Sequence, residues 1–504
     1  MKLLYLKFFS VIALSWYFFI KPDTLVIPKL SESAKVNHDE GYKVIAKNLN
    51  VPWEIAWGPD DKIWIAEQSG IVSRIEPSTG SKQVLLRLND VWHLRTSGLL
   101  GMALHSDMKK HPFVFLNYTI QKDKKYFSRL VRYTWKKDTL LDAKILMEIP
   151  GALGHNGSRL TVNKGILYWA SGDAANYPDA QNPKTPNGKI LRMNIDGSVP
   201  ADNPMKGNPV WAWGFRNMQG MVFSTKGDLY TSEHGDATDD EINLIQRSRN
   251  YGWPDVQGFA ESVAETSFKG LNNTVDPLKA WTPTIGPAGL DYYDSDAISG
   301  LKNSLLLVSL KGKSLRVLKL SDDGKRIVEE DVYFENKFGR IRDLCVSPAG
   351  DIYLATSNRD WNPVAGFPKP EDDRIIKVSK LDKANPQNRI SSMESGSKAA
   401  DLYQQYCASC HKENGSGVEG VFPPLQNSQL VVTDPKALVA KILTGSKGKA
   451  IINGQSYEAQ MPSFSFLNDE EILEILTYIR SMGSNHAVPI KPQFLKDVRT
   501  GLNK

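Results

Sequence analysis

Lys226-Gly227-Asp228-Leu229-Tyr230 is a tight polar turn that runs straight into an apolar strand. The same design recurs at Asp61-Lys62-Ile63-Trp64-Ile65, Lys164-Gly165-Ile166-Leu167-Tyr168 and Gly350-Asp351-Ile352-Tyr353. Gly and Asp suit the turn, and the β-branched and aromatic residues that follow suit a buried pleated strand. In chain order the second and third copies, at Lys164 and Lys226, lie about 62 residues apart, and the third and fourth about twice that, the spacing of a radial β architecture. From about residue 39 to 382, short strand-like runs alternate with Gly, Asp, Asn and Pro clusters. Roughly 340 residues at about 57 per unit predict an all-β six-bladed β-propeller, with a pair of β-sandwiches as the alternative.

The pattern changes after residue 382. Residues 383–397 are polar and aperiodic, with Asn385-Pro386-Gln387-Asn388 and a serine-rich run, and read as a linker. Beyond them stands Cys407-Ala408-Ser409-Cys410-His411. This is C-x-x-C-H, the attachment site of one covalent haem c. Cys407 and Cys410 would form the thioethers, and His411 would ligate iron. A plain C-x-x-C with an incidental histidine is the alternative. Met461, in Gln460-Met461-Pro462, would be the second axial ligand, unless it is a core methionine. Asn468 and Glu471 form a capping-box pattern before the stripe Ile472, Leu473, Ile475, Leu476, Ile479. Residues 398–484 thus resemble a class I cytochrome c, a small all-α domain, with Phe422-Pro423-Pro424-Leu425 matching its usual loop. That resemblance implies that the carbonyl of Pro424 holds the axial histidine ring. Residues 485–504 read as a polar tail.

Of 504 residues, 62 are basic and 56 acidic, and no basic cluster stands out, so nucleic acid is not an expected partner. Residues 3–20 are apolar behind Lys2 and Lys7, which marks 1–22 as an export signal and places the body in a bacterial periplasm. The bulky Phe18-Phe19-Ile20 is a poor cleavage site, so membrane attachment through an uncleaved anchor stays open beside a soluble mature protein. With Cys407 and Cys410 taken by haem, Cys345 has no disulfide partner.

Several polar residues of the first domain invite a chemical reading. His155 lies in the turn Gly154-His155-Asn156-Gly157 before a strand and could be a general base or a surface turn residue. Asp173, after the next strand, could orient that base or simply form a turn. Arg216-Asn217 among glycines suits a planar carboxylated ligand. Glu233-His234-Gly235-Asp236 through Asn243 gathers oxygen donors of the kind Ca²⁺ prefers, without EF-hand spacing; a solvated loop is the alternative. Lys311, Arg340 and Arg342 add cations at strand ends.

Taken in order, these blocks resemble the glucose/sorbosone dehydrogenase family, six-bladed propellers that use pyrroloquinoline quinone (PQQ). The matching blocks are Val51-Pro52-Trp53-Glu54-Ile55-Ala56, Gly98-Leu99-Leu100-Gly101-Met102, His155 to Leu160, Gly188-Lys189-Ile190-Leu191-Arg192, Arg216-Asn217, Asp240-Glu241-Ile242-Asn243 and Asn250-Tyr251-Gly252-Trp253-Pro254. The resemblance implies His155 as the base, supported by Asp173, and Arg216 and Asn217 against the quinone, with Arg216 beside its reactive carbonyl. It implies Lys311, Arg340 and Arg342 on the PQQ carboxylates, with Thr284 and Thr356 at looser matches. It implies the backbone carbonyls of Gly235 and Asp236 as ligands of Ca²⁺. Two departures stand out: Thr96-Ser97 where a glutamine is usual, and Asp236 where a proline is usual.

The whole chain then reads as an exported PQQ-dependent dehydrogenase. It would oxidise an aldose or related sugar at the anomeric carbon to a lactone and pass electrons to its own haem, and from there to a downstream respiratory acceptor. Two rivals remain. A Ca²⁺-dependent propeller lactonase would need side-chain carboxylates at the centre in place of the cation cage. A non-catalytic haem electron-transfer protein would use the propeller only for binding.

Overall fold

The computed structural model describes residues 41–260, 262–381 and 398–502, apart from 413, 418–421, 447–449, 453, 458–460, 462, 466, 484 and 486. The expected export signal at 1–22 and linker at 383–397 lie outside the described residues. Among the described residues no helix is long and apolar enough to cross a membrane.

Six four-stranded antiparallel sheets follow one another along the chain. Their innermost strands are Pro52–Trp57, Leu99–Leu104, Gly157–Asn163, Met218–Phe223, Pro287–Tyr293 and Ile341–Val346. Each innermost strand contacts the next, and the last contacts the first, which makes a ring of six blades. Tyr42–Ala46 pairs with Ile375–Val378, so the first described strand completes the last blade and closes the ring.

The strand Ser304–Ser309 shows why such sequences fold this way. All six of its residues are buried. Leu305 and Leu307 pack toward blade four, while Leu306 and Val308 pack toward blade six. Ile63 and Ile65 likewise face blade six, and Trp64 and Ala66 face blade two. Side chains alternate with period two, so a blade covered on both sides needs a continuous apolar run. Each buried Leu or Ile contributes about 1.5–3 kcal/mol.

The repeated turns have a common backbone reason. Asp61, Lys164, Gly227 and Gly350 all take left-handed φ, at 55°, 50°, 92° and 85°. Blade five uses Asn303 at φ 58° in the same place, an equivalent of the motif that carries no glycine and escapes a sequence search. Near the axis the innermost strands converge. A Cβ on Gly101 would lie 2.0 Å from the carbonyl oxygen of Ser158. There the buried Arg159 pairs with Glu54 at 2.7 Å and Asp343 at 3.1 Å, and its Nε donates to Gln219 O at 2.7 Å. One guanidinium thereby joins blades one, three, four and six, and breaking such a buried pair typically costs about 3–5 kcal/mol.

The C-terminal region is helical. Lys398–Tyr406 packs against Asp469–Ser481. The expected capping box is present: Glu471 N donates to Asn468 Oδ1 at 3.0 Å, and Asn468 N donates to Glu471 Oε2 at 2.9 Å. The expected polar tail is corrected. Pro492–Leu502 is a helix whose Leu495 and Val498, three residues apart on one face, are buried in the same apolar cluster. Arg499 secures it by donating to the carbonyls of Ser465 and Leu467, each at 2.9 Å.

Candidate functional site

Hairpin topology collects the site. In each blade the start of the innermost strand and the end of the second strand lie at the same end of the ring. His155, Arg216-Asn217, Thr284 and Arg340 precede innermost strands. Asp173, His234 to Asp236 and Lys311 follow second strands. The chemistry foreseen along about 190 residues therefore meets at one mouth.

His155 and Asp173 form a dyad. His155 Nδ1 lies 3.0 Å from Asp173 Oδ1. Asp173 is fully buried and also accepts from Trp253 Nε1 at 2.8 Å and from Ala175 N at 2.8 Å. A carboxylate accepts hydrogen bonds, so the histidine donates to it from Nδ1. That leaves the lone pair on Nε2. His155 keeps 23% of its side chain exposed, and its backbone sits at a left-handed φ of 54°. A non-glycine residue held there costs on the order of 1 kcal/mol, the kind of strain that clusters at functional sites. Tyr177 stacks on the imidazole with ring centroids 6.3 Å apart and meets Trp253 edge-on at 5.1 Å.

The cations gather beside this dyad. Arg216 bonds Asp236 at 2.9 Å and lies over Trp253 at 5.3 Å, while its Nε is buried with no partner among the described residues. Asn217 accepts from Gly157 N at 3.2 Å and from Gln219 at 3.1 Å. Arg340 and Arg342 share the buried carboxylate of Asp360 at 2.9 and 3.0 Å. Arg342 is also stacked on Trp53 at 3.7 Å, and burial lowers its pKa to about 10. Lys311 donates to Thr284 Oγ1 at 3.0 Å, and burial depresses its pKa. His234 stands among these groups. Burial, with Arg216 and Arg342 nearby, drives it down to about 3, so it is neutral, and its Nε2 donates to Pro287 O at 2.8 Å. Positive charge held under desolvation, with one guanidinium N–H unpaired, fits a planar ligand carrying several carboxylates, as PQQ does. Thr356 does not join this group. It is fully buried, lies 3.4 Å from Asp373 Oδ1 and accepts from Arg374 N at 2.8 Å, which commits its hydroxyl within the blade.

In the loop expected to hold Ca²⁺, the carboxylates are already engaged. Asp240 accepts from Gly235, Ile285 and Gly286, at 2.9, 2.6 and 2.7 Å, and Glu233 accepts from the backbone of Arg216 and Asn217. No cluster of three or more His, Cys, Asp or Glu able to hold a metal occurs among the described residues. What the loop offers a cation is backbone carbonyls, including those of Gly235 and Asp236, which accept no hydrogen bond among the described residues.

A second site lies in the helical region. A cavity is lined by Cys407, His411, Pro423, Met461, Phe464 and Ile475, among others, and its lining is apolar, as cofactor pockets are. His411 Nδ1 donates to Pro423 O at 2.8 Å, which leaves the lone pair on Nε2 for a metal. The expectation of Pro424 is thus corrected by one residue: the carbonyl that reaches the ring is that of Pro423. Cys407, His411 and Met461 line one cavity, and both cysteines stand with His411 on one helical turn.

Asp360, Trp253, Tyr177 and His234 were not singled out from sequence as site residues. Trp253 lay in a matched block, whereas Asp360 carries no local signal.

Comparison with known proteins agrees with these two parts. The family model for glucose/sorbosone dehydrogenase matches residues 49–363, and that for cytochrome c matches 397–483. Quinoprotein glucose dehydrogenase B of Acinetobacter calcoaceticus is 30% identical over 410 residues, covering 64% of this chain and 86% of that protein. The PQQ-bound aldose sugar dehydrogenase of Streptomyces coelicolor superposes with a TM-score of 0.58 at 30% identity, over 67% of this chain and 97% of that one. Cytochrome c-552 of Thermus thermophilus is 37% identical over 84 residues, 16% of this chain and 63% of that protein. The chain belongs to the glucose/sorbosone dehydrogenase family and carries a cytochrome c domain after its propeller.

Proposed function

We propose that the protein is an exported PQQ-dependent dehydrogenase that oxidises an aldose or related sugar at its anomeric carbon to a lactone and passes the electrons to its own haem c. The observation that carries this reading is the His155–Asp173 dyad placed beside a desolvated cage of Arg216, Lys311, Arg340 and Arg342. PQQ, when bound, supplies the two-electron acceptor, and haem c a one-electron carrier.

The residues then take these roles. His155 Nε2 receives the proton of the anomeric hydroxyl as the C–H bond breaks. Asp173 holds the imidazole in the accepting tautomer and stabilises its charged form afterwards. Arg216 and Asn217 would hold the quinone, and Arg216 would offer positive charge where negative charge develops. Lys311, Arg340 and Arg342 would hold its carboxylates. The carbonyls of Gly235 and Asp236 would bind Ca²⁺. Cys407 and Cys410 would carry the haem, and His411 and Met461 would hold its iron, a one-electron carrier toward a respiratory acceptor. The N-terminal segment directs export and leaves the protein soluble or anchored.

The test adds PQQ and Ca²⁺ to protein made without PQQ and follows the haem spectrum on addition of sugar. Haem reduction that needs sugar and PQQ, with lactone as product, is the expected result. Lactone hydrolysis without PQQ would replace this reading with the hydrolase.

A further inference from the structure

The cytochrome region touches the propeller through loops that border the cation cage. Trp361, one residue after the Asp360 that holds Arg340 and Arg342, meets Phe422 with ring centroids 6.0 Å apart. Phe422 in turn precedes Pro423, whose carbonyl holds His411. Ala237, next to the Asp236 that pairs with Arg216, packs against the same apolar cluster of the helical region as Cys407 and Met461 do. Lys311 lies near Cys407 and Cys410. These contacts come from blades four, five and six, while His155 on blade three keeps part of its ring exposed.

We propose that the rim of blades four to six is the docking surface for the chain's own cytochrome domain, seated by Trp361 against Phe422. Docked there, the domain presents its haem-bearing cysteines to Lys311 and leaves the blade-three side open at His155. Sugar then reaches the base without undocking, and the cytochrome domain stays on this rim throughout turnover. This inference rests on the reading that the propeller oxidises sugar and the haem accepts the electrons. The seat has no role in holding either cofactor or substrate. Trp361 and Phe422 are positioning residues.

The test places a charge in the seat from either side. Phe422→Glu and Trp361→Lys each leave an unpaired charge in this half-buried contact, whereas the double variant pairs them. Each single variant should slow sugar-driven haem reduction on the order of tenfold or more. Each should leave reduction of a small soluble dye and the haem spectrum unchanged. Small-angle X-ray scattering should show each single variant more extended than the parent. The double variant should recover compactness and haem reduction at low salt and lose part of both at high salt. Single variants that stay as compact as the parent and reduce haem at its rate would overturn the seat. Scattering reads docking whether or not sugar is the substrate. A parent protein that reduces neither dye nor haem would instead count against the proposed function alone.

Discussion

Replacing Asp173 by Asn tests the dyad through its hydrogen-bond inventory. The carboxylate accepts three N–H groups: His155 Nδ1 and Ala175 N at Oδ1, and Trp253 Nε1 at Oδ2. An amide has one acceptor oxygen, and its NH₂ must face one side or the other. Facing Trp253, it sets donor against donor and orphans one buried N–H. Facing His155, it orphans Ala175 N and forces the imidazole into the other tautomer. The first orientation loses less, so the amide should keep His155 in the accepting tautomer. What disappears is the negative charge. A charge-assisted hydrogen bond is worth about 1.5–3 kcal/mol and a neutral one about 0.5–1.5 kcal/mol. The difference of about 1–2 kcal/mol corresponds to roughly a 5- to 30-fold fall in kcat. Stability should drop by about 1–3 kcal/mol for the orphaned indole N–H. Trp253→Phe removes that donor, so in the Asp173→Asn background it should cost less stability than it does alone, a positive coupling in a double-mutant cycle. The assay is dye-coupled oxidation with saturating PQQ, alongside urea unfolding of all four proteins. A loss of about 10⁴ with the fold intact would refute the orientation argued here, since it would mean that the amide had turned its NH₂ to the histidine.

His155→Ala should lower turnover by about 10²–10⁴ with PQQ binding retained, and should erase the acid limb of the pH–rate profile. Burial lowers the pKa of Lys311, and a carboxylated ligand would restore its charge. PQQ affinity should therefore be flat below the pKa of Lys311 in the free protein and fall as pH rises through it, measured by equilibrium binding; an affinity that rises with pH would remove Lys311 from the cage. Met461→Ala should abolish the sulfur-to-iron absorption of the oxidised haem and lower its potential while the covalent attachment survives, and an unchanged spectrum would assign the sixth ligand elsewhere. A chain ended near Ala384 should fold, bind PQQ and oxidise sugar with a dye while carrying no haem; failure to fold would move the domain boundary.

The readable parts of this protein are those whose signal is local or periodic. Blade strands such as Ile63–Glu67 are announced by a left-handed turn and an apolar run, because neighbours cover both faces. The pentapeptide from Cys407 to His411 is complete in itself, since two thioethers and an axial ligand need fixed spacing on one helical turn. The capping box at Asn468 and Glu471 is four residues of backbone chemistry and appears as expected. The tail helix carries a fainter signal: only Leu495 and Val498 are fully buried in the core, with Phe494 partly so, among polar and charged neighbours.

His155, Asp173, Arg216 and Lys311 could be named from sequence because they stand at strand ends beside turns. Their partners could not. Trp253 reaches Asp173 across 80 residues of chain, and Asp360 closes on Arg340 across 20. Closing the ring brings the ends of blades three to six to one mouth, and only then do a carboxylate and an indole acquire their roles. The seat between Trp361 and Phe422 is the extreme case, two exposed-looking aromatics in different domains. Sequence by itself determined the six-fold strand period and the haem motif, whose physics is short-range. Tertiary structure decided which carboxylate neutralises which guanidinium, which proline holds the haem histidine, and where the cytochrome rests. Those depend on distances that ring closure and domain packing set, and no local stretch of chain encodes them.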